Sequence, residues 1–397
     1  MRHQLTRFDE FPRHQIGGSF DMVADGSPHW SDGYYFTMGD DAGRFAWFMG
    51  FRLHPNTDVL DAFVCVSADG QQHNMRWSRR LRPNIDDLEC GPLSVQVIEG
   101  LRTLRTICAP NEWGQSFDLT WTGWAPPYNE DRVIVIVNGR VQSDRSNFDQ
   151  CSLVSGWFEV AGQRVDVNDW TGVRDHSWGI GNSTGGPRSS AIAPAPVSAP
   201  SPAPATPSAL EMPRTIGLRQ WCVFRMPDRV LFWQFHHPGG DGTWSKFESQ
   251  CMFPYGDPRQ PFAYVDVTHR MRWRDDGSGP MPRMADGEVH LTRADGGVER
   301  YRIEPISYPV YLQGGGYHRG YDDGLGRGVY RGEFVSEGEV WQIDRGIGVV
   351  EPKGVRLEPH HYAEAWGRCT NLDDPTDLGT GHLECVLLAP SLDRFSQ

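Results

Sequence analysis

The feature that most constrains the fold of this chain is a polar/apolar alternation with a period of two residues. Ala161-Gly162 separates two such runs in a hairpin pattern, and Ala68-Asp69-Gly70 is a second turn of this kind. We find no convincing amphipathic helix of three or more turns; residues 56–61 and 360–366 are each long enough for one turn. The strand-like segments of the first half are 44–53, 60–67, 93–99, 102–108, 116–123, 132–137, 157–160 and 164–167.

The composition changes sharply at residues 181–213, which consist mainly of Gly, Ser, Ala and Pro. A segment of this kind cannot bury a core and prefers extended, solvated conformations. Strand-like segments resume at 220–226, 230–236, 247–253, 263–273, 287–292, 298–306, 329–336, 340–343 and 383–388.

A chain of 397 residues is too long for one ordinary core. We therefore predict an N-terminal β domain at residues 1–180, a disordered Pro/Ala/Ser-rich linker at 181–215 and a C-terminal β domain at 216–397. Each half is long enough for an antiparallel barrel or curved sandwich of about eight to ten strands. The predicted class is all-β, with the two halves in tandem.

Charge and cysteine usage restrict the function classes. The net charge of −13, without a basic helix or a basic patch interleaved with aromatic residues, argues against nucleic-acid binding. Neither residues 1–20 nor any later segment has an apolar run that fits a signal peptide or a membrane span. The eight cysteines are scattered without a C-x-x-C pair, which predicts buried free thiols and a cytoplasmic protein.

The segment with most chemical content is Val-Arg-Asp-His-Ser-Trp-Gly at residues 173–179. Alternate side chains of a strand share a face, so Arg174, His176 and Trp178 point one way, and Asp175 and Ser177 the other. An imidazole beside an indole and an arginine predicts a functional site. The alternative is structural, with the indole in the core and the His and Asp forming hydrogen bonds.

This motif resembles the lipocalin-like superfamily of bacterial carotenoid hydratases (hydroxyneurosporene synthase) and their AttH-type relatives. Residues 29–36, His-Trp-Ser-Asp-Gly-Tyr-Tyr-Phe, are similar to the family's first strand. The resemblance implies two lipocalin-like domains and places His176 and Trp178 in the site.

In the carotenoid hydratases, a tyrosine and an acidic residue from a later strand complete the site. Here that strand reads Leu-Phe-Trp-Gln-Phe-His-His at residues 231–237, so Trp233, Gln234 and Phe235 stand where Tyr-x-Asp is expected. We therefore expect this chain to share the fold of the carotenoid hydratases more closely than it shares their reaction. Trp233 and Phe235 are instead expected to contact the substrate.

Hydration of an isolated alkene needs a proton donor, a wall that stabilises a cation, and an apolar cavity. Trp178 suits the wall, and His176 could position water or carry a proton. We favour Asp32 with Tyr34 as the acid, because they share a face of the first strand with Trp30, which we assign to substrate binding. Asp175 faces away from His176 and is assigned a structural role. Arg174 either binds a substrate head group or forms a structural salt bridge.

These residues predict a cofactor-free, metal-free hydratase, isomerase or related lyase. Its substrate would be a hydrophobic isoprenoid-like or polyketide-like molecule in a cavity between the two β domains. The alternative is a non-catalytic carrier of an apolar lipid, with transient membrane contact left open, and a carbohydrate-binding sandwich is third. His236 and His237 are adjacent on a strand and so face opposite ways, which argues against a shared metal ion.

Overall fold

The structure is a computed structural model that describes most of the chain outside the Pro-rich segment. The described residues are 7–10, 12, 14–137, 139–181, 218–237, 246–274, 283–317, 320–344, 348–350, 356–357 and 363–387. Apart from residue 181, the predicted linker lies outside them. The described residues contain no helix long and apolar enough to cross a membrane.

Strands dominate the described residues, with short 3-10 helices at Arg7–Glu10 and Leu312–Gly315. The strands are β1 (Trp30–Gly39), β2 (Phe45–His54), β3 (Val59–Ala68), β4 (Gln71–Arg80), β5 (Glu89–Cys90), β6 (Leu93–Glu99), β7 (Thr103–Cys108), β8 (Ser116–Gly123), β9 (Tyr128–Asn129), β10 (Val133–Val137), β11 (Arg140–Val160), β12 (Gln163–Ile180), β13 (Leu218–Arg225), β14 (Val230–His237), β15 (Lys246–Met252), β16 (Tyr264–Trp273), β17 (Met284–Arg293), β18 (Val298–Pro305), β19 (Val310–Tyr311), β20 (Phe334–Asp344), β21 (Gly348–Val350), β22 (Arg356–Leu357), β23 (Ala363–Asn371) and β24 (Leu378–Leu387).

Two antiparallel sheets result, which confirms the predicted all-β class. The first, a nearly closed barrel, has the order β22-β21-β20-β4-β3-β2-β1-β12-β11-β8-β7-β6-β5, with β9 and β10 also paired to β11. The second, a half-barrel, has the order β15-β14-β13-β24-β23-β18-β17-β16, with β19 paired to β23. The central position of β1, β12 and β11 in the first sheet determines where the candidate site lies.

The first sheet is built from both sides of the Pro-rich segment. Strand β20 pairs with β4 along its length, from Phe334 opposite Arg79 to Gln342 opposite Gln71. The sequence predicted one β domain on each side of the linker. In the structure, β20, which follows the linker, forms backbone hydrogen bonds with β4, which precedes it. Local periodicity could not show this, because it contains no information on which edge a strand joins.

From Tyr35 onward, strand β1 is buried on both faces, and the two faces contact different cores. Phe36 and Met38 belong to the core enclosed by the first sheet, which also contains Trp47 and Trp121. Tyr35 belongs to a separate cluster that fills the interface with the second sheet. All eight cysteines are free and seven are buried, as the sequence predicted.

Candidate active site

A cavity of about 480 Å³ lies in the first sheet, on the inner face of β1, β11 and β12. Its polar wall consists of Asp32, Tyr34, Arg174 and His176. This volume falls within the range of pockets that hold small ligands. The sequence predicted a cavity between the two β domains, whereas the interface is packed with the apolar cluster around Tyr35.

The pairing of β1 with β12 brings the predicted residues together. Tyr34 lies opposite His176, and Asp32 lies opposite Trp178. Because directly opposed residues of an antiparallel pair point to the same side, all four side chains face the cavity. Asp175 has Tyr35 as its partner and faces the second sheet, so the predicted division of the motif between two faces is confirmed.

The last residue of the motif, Gly179, has a structural explanation. Its φ of +116° is a conformation that side-chain-bearing residues rarely adopt. A Cβ at this position would lie 2.1 Å from the carbonyl oxygen of Asp144 on β11. Gly179 therefore allows β11 and β12 to approach closely, immediately after the residue that contributes the indole.

His176 and Asp32 form a hydrogen bond within the cavity, 2.8 Å between Nε2 and Oδ1. The side chain of Asp32 is 43 % exposed and that of His176 is 24 % exposed. A water-exposed carboxylate is only an acceptor, so the imidazole donates through Nε2–H and presents Nδ1 as its basic atom. The carboxylate thus fixes both the orientation and the tautomer of the ring.

Aromatic side chains surround this pair. The ring centroids of Tyr34, Phe148 and Trp178 lie 4.6, 5.4 and 5.5 Å from that of His176. Burial, with a smaller contribution from the Asp32 charge, raises the pKa of Tyr34 to about 12. The phenol therefore remains protonated at neutral pH and acts in the cavity as a hydrogen-bond donor.

Arg174 contributes a cationic side chain to the cavity and is only 3 % exposed. Its Nε and Nη2 donate to Oε1 of Gln150, at 2.9 and 2.6 Å. Gln150 is oriented by its own donation to the carbonyl oxygens of Leu101 and Ala125, at 2.8 and 3.0 Å. Burial lowers the pKa of Arg174 to about 10, which still leaves the guanidinium charged at neutral pH.

No carboxylate within the described part of the chain forms an ion pair with Arg174, which argues against the salt-bridge alternative. The sequence missed Gln150 and Phe148, although both lie on β11 beside β12. Residues 140–150 are mostly polar and show no alternation that would have marked them as a strand.

The mouth of the cavity is apolar. Val97 and Leu101, at the tip of the β6–β7 hairpin, are 48 % and 49 % exposed and also line the cavity. Trp178 also lines the cavity and is 36 % exposed. An apolar entrance that leads to a few polar groups is typical of sites for hydrophobic ligands.

Three residues predicted to bind substrate do not line this cavity. Trp30 pairs with Ile180 at the end of β1 and β12, beyond the cavity wall. Trp233 and Phe235 are completely buried in the core of the second sheet, where the Trp233 indole donates to Gln220. The aromatic side chains of this strand pack against the protein's own core. From the sequence alone, such a strand looks the same as one whose side chains line a ligand-binding cavity.

Asp175 is partly buried on the interface side, and its assigned structural role stays a prediction. It lies in register with Tyr35 on one side and Asp149 on the other. Burial raises the pKa of the Asp175 carboxyl, and the nearby Arg145 and Arg52 oppose this effect.

Comparison with known proteins identifies a family. Residues 5–353 match the model of a family described as "Family of unknown function (DUF8625)", and the chain belongs to this family. No curated protein matches the chain.

Solved structures give only distant similarities. Crystal structures of CghA (11 % identity, TM-score 0.49) and of CghA with Sch210972 (10 %, 0.47) each cover 92 % of this chain and 90 % of their own. Kievitone hydratase from Nectria haematococca has 11 % identity and a TM-score of 0.46 over 91 % of this chain and 90 % of its own. None of these three is a carotenoid hydratase, so that resemblance stays a prediction.

Proposed function

We propose that this member of the DUF8625 family catalyses cofactor-independent proton transfer on a hydrophobic substrate with a conjugated carbonyl group. The reaction would be hydration, dehydration or double-bond isomerisation. The observation that carries this proposal is the Asp32–His176 hydrogen bond in a cavity that also contains Arg174, which is buried and forms no ion pair with a carboxylate of the described residues. Substrates of isoprenoid or polyketide type fit the apolar entrance.

His176 has the role of general base and acid. With Nε2–H held by Asp32, Nδ1 can accept a proton from carbon or from water. The imidazolium formed in this step would be stabilised by the Asp32 carboxylate. Such positioned proton transfer contributes about 100- to 10,000-fold to a rate.

Arg174 has the role of stabilising the negative charge that develops on the substrate oxygen. Residues two apart on a strand are separated by about 7 Å between Cα atoms, so Arg174 and His176 can contact one substrate from the same side. In hydration, water loses a proton to His176 and adds to the β-carbon, and the electron pair moves to the carbonyl oxygen near Arg174. Return of the proton to the α-carbon completes the addition.

The substrate is expected to be carbonyl-activated rather than an isolated alkene. Protonation of an isolated alkene needs a sequestered carboxylic acid, whose pKa burial has raised. The acid that the sequence favoured, Asp32, is instead 43 % exposed and bonded to the imidazole. Arg174 would also disfavour a carbocation in the same cavity, because like charges repel.

The test is mass spectrometry of a panel of hydrophobic enones and isolated alkenes incubated with the protein in heavy water. A mass gain of D₂O indicates hydration, and deuterium gain without water indicates isomerisation. We expect His176→Ala to lower turnover of an enone at least about 100-fold. The matched control His290→Ala, on β17 of the second sheet, should leave turnover unchanged.

Two results would contradict the proposal. Equal turnover by the wild type and His176→Ala would remove His176 from the chemistry. A lipid retained through desalting without any chemical change, for every compound of the panel, would support the carrier alternative.

A further inference from the structure

A second cluster of buried polar groups lies between the sheets, on the opposite side of β1 from the cavity. It comprises Glu364 on β23 with His382 and Glu384 on β24, which are 3 %, 0 % and 1 % exposed. Glu364 is the register partner of Glu384, and His382 precedes Glu384 by two residues. The three side chains therefore share one face of neighbouring strands.

These side chains bring three potential ligand atoms together. One nitrogen or oxygen from each lies within 4.8 Å of the other two, and His382 Nε2 is 3.7 Å from Glu364 Oε2. Metal–ligand bonds of about 2.0–2.2 Å place neighbouring ligands of a tetrahedral ion roughly 3.3–3.6 Å apart. Small side-chain movements would suffice to close the site around an ion.

His382 provides an independent indication of a ligand. Neither of its ring nitrogens has a hydrogen-bond partner among the described residues, although His382 is completely buried. The ring is held by the Trp221 indole, with centroids 4.2 Å apart, and contacts Tyr35 and Phe48. A buried polar group without a partner is costly, and an ion at Nε2 would remove that cost.

The local charge also favours a cation. Arg219 pairs with Glu384, and the Tyr35 hydroxyl donates to Glu364. The Arg219 guanidinium thus lies near two buried carboxyl groups, Glu364 and Glu384.

We propose that Glu364, His382 and Glu384 bind one divalent first-row transition ion, with Zn²⁺ as the representative. The imidazole favours such ions over Mg²⁺ and Ca²⁺, which prefer sites made of oxygen atoms alone. The sequence predicted no metal site, because the pattern His-x-Glu at residues 382–384 provides only two ligands and does not indicate that β23 provides the third.

The test uses the full chain, stripped with a chelator and then titrated with Zn²⁺ in a calorimeter and with Co²⁺ by visible absorption. We expect one ion per chain, with a dissociation constant in the micromolar range or tighter, and absorption bands of a low-coordinate Co²⁺ site. His382→Ala should lower the affinity at least about 100-fold. His290→Ala should bind like the wild type, and Ca²⁺ should not compete.

A possible folding defect in His382→Ala is separated by two further measurements. The first is the number of Zn²⁺ ions bound per wild-type chain, which does not depend on any variant. Absence of saturable Zn²⁺ binding to the wild-type protein would overturn the proposal. Tyr35→Phe keeps all three ligands and removes only the phenol that donates to Glu364, so it should bind at least as tightly as the wild type. Unchanged affinity in a folded His382→Ala protein would equally refute the site.

Discussion

The stability of this protein at mildly acidic pH should depend on His236, on β14. Arg219 Nε donates to His236 Nε2, at 3.3 Å, so that nitrogen must carry a lone pair and the ring must be neutral. Burial, followed by the charges of Arg219 and Lys246, lowers the pKa of His236 to about 3. In the unfolded chain the same ring titrates near 6.5.

The sign and the size of the effect follow from proton uptake on unfolding. As the pH falls from 7.5 to 5.5, the unfolded state gains a proton at this ring and the folded state does not. Stability is therefore lost as the pH falls, by about 1.4 kcal/mol over this interval for this one group. The loss begins near pH 7 and continues until the pH approaches the folded-state pKa.

The measurement compares urea unfolding of the wild type and of His236→Gln at pH 7.5 and pH 5.5. The glutamine carbonyl can still accept from Arg219, but it cannot be protonated. We expect the wild type to lose about 1.4 kcal/mol more than the variant between the two pH values. Buried carboxyls such as Asp149, whose pKa burial raises, contribute equally to both proteins and cancel in this difference.

His290→Gln, on the partly exposed face of β17, is the matched control and should lose as much stability as the wild type. If the wild type and His236→Gln lose the same free energy, within about 0.3 kcal/mol, the reasoning is refuted. The ring would then bind a proton in the folded state, and its Nε2 could no longer accept a hydrogen bond from Arg219.

Three further substitutions test the fold and the cavity. Gly179→Ala forces a Cβ against the Asp144 carbonyl and should lower the free energy of unfolding by about 2–4 kcal/mol, measured in guanidinium chloride. Arg76→Ala leaves the partly buried carboxylates of Glu337 and Glu339 on β20 without their cation and should cost about 1.5–3 kcal/mol in the same assay; a loss below 1 kcal/mol would contradict the docking of β20. Tyr34→Phe removes a donor from the cavity and should lower kcat about 100-fold, with the unfolding midpoint unchanged.

Strand periodicity predicted the fold class because it depends only on local alternation. The segment 116–123 coincides with β8, where the buried and partly exposed side chains alternate. It failed for most of β11, a strand of 21 residues of which only 157–160 were predicted. The polar half of β11 is a strand because it pairs with its neighbours β10 and β12, and backbone pairing of this kind leaves no periodic signal in the side chains.

In the candidate site, too, the sequence predicted what depends on local alternation and missed what depends on the pairing of strands. Alternation correctly assigned Arg174, His176 and Trp178 to one face, and it grouped Asp32 with Tyr34. That the two groups meet depends on the antiparallel register of β1 and β12, which are more than 130 residues apart in the chain. The partner of Arg174 could not be found from sequence, because Gln150 lies on the unpredicted part of β11.

The neighbouring residues Tyr34 and Tyr35 show why the register of β1 must be fixed. Tyr34 faces the cavity with His176, whereas Tyr35 faces the interface and donates to Glu364. A shift of one residue would exchange the two faces and destroy both polar arrangements at once. Gly33 opposes such a shift, because a Cβ there would lie 2.3 Å from the Phe51 carbonyl oxygen, so only glycine fits against β2 at this position. The close contact that aligns β1 with β2 therefore fixes the cavity on one face of β1 and the cluster of Glu364, His382 and Glu384 on the other.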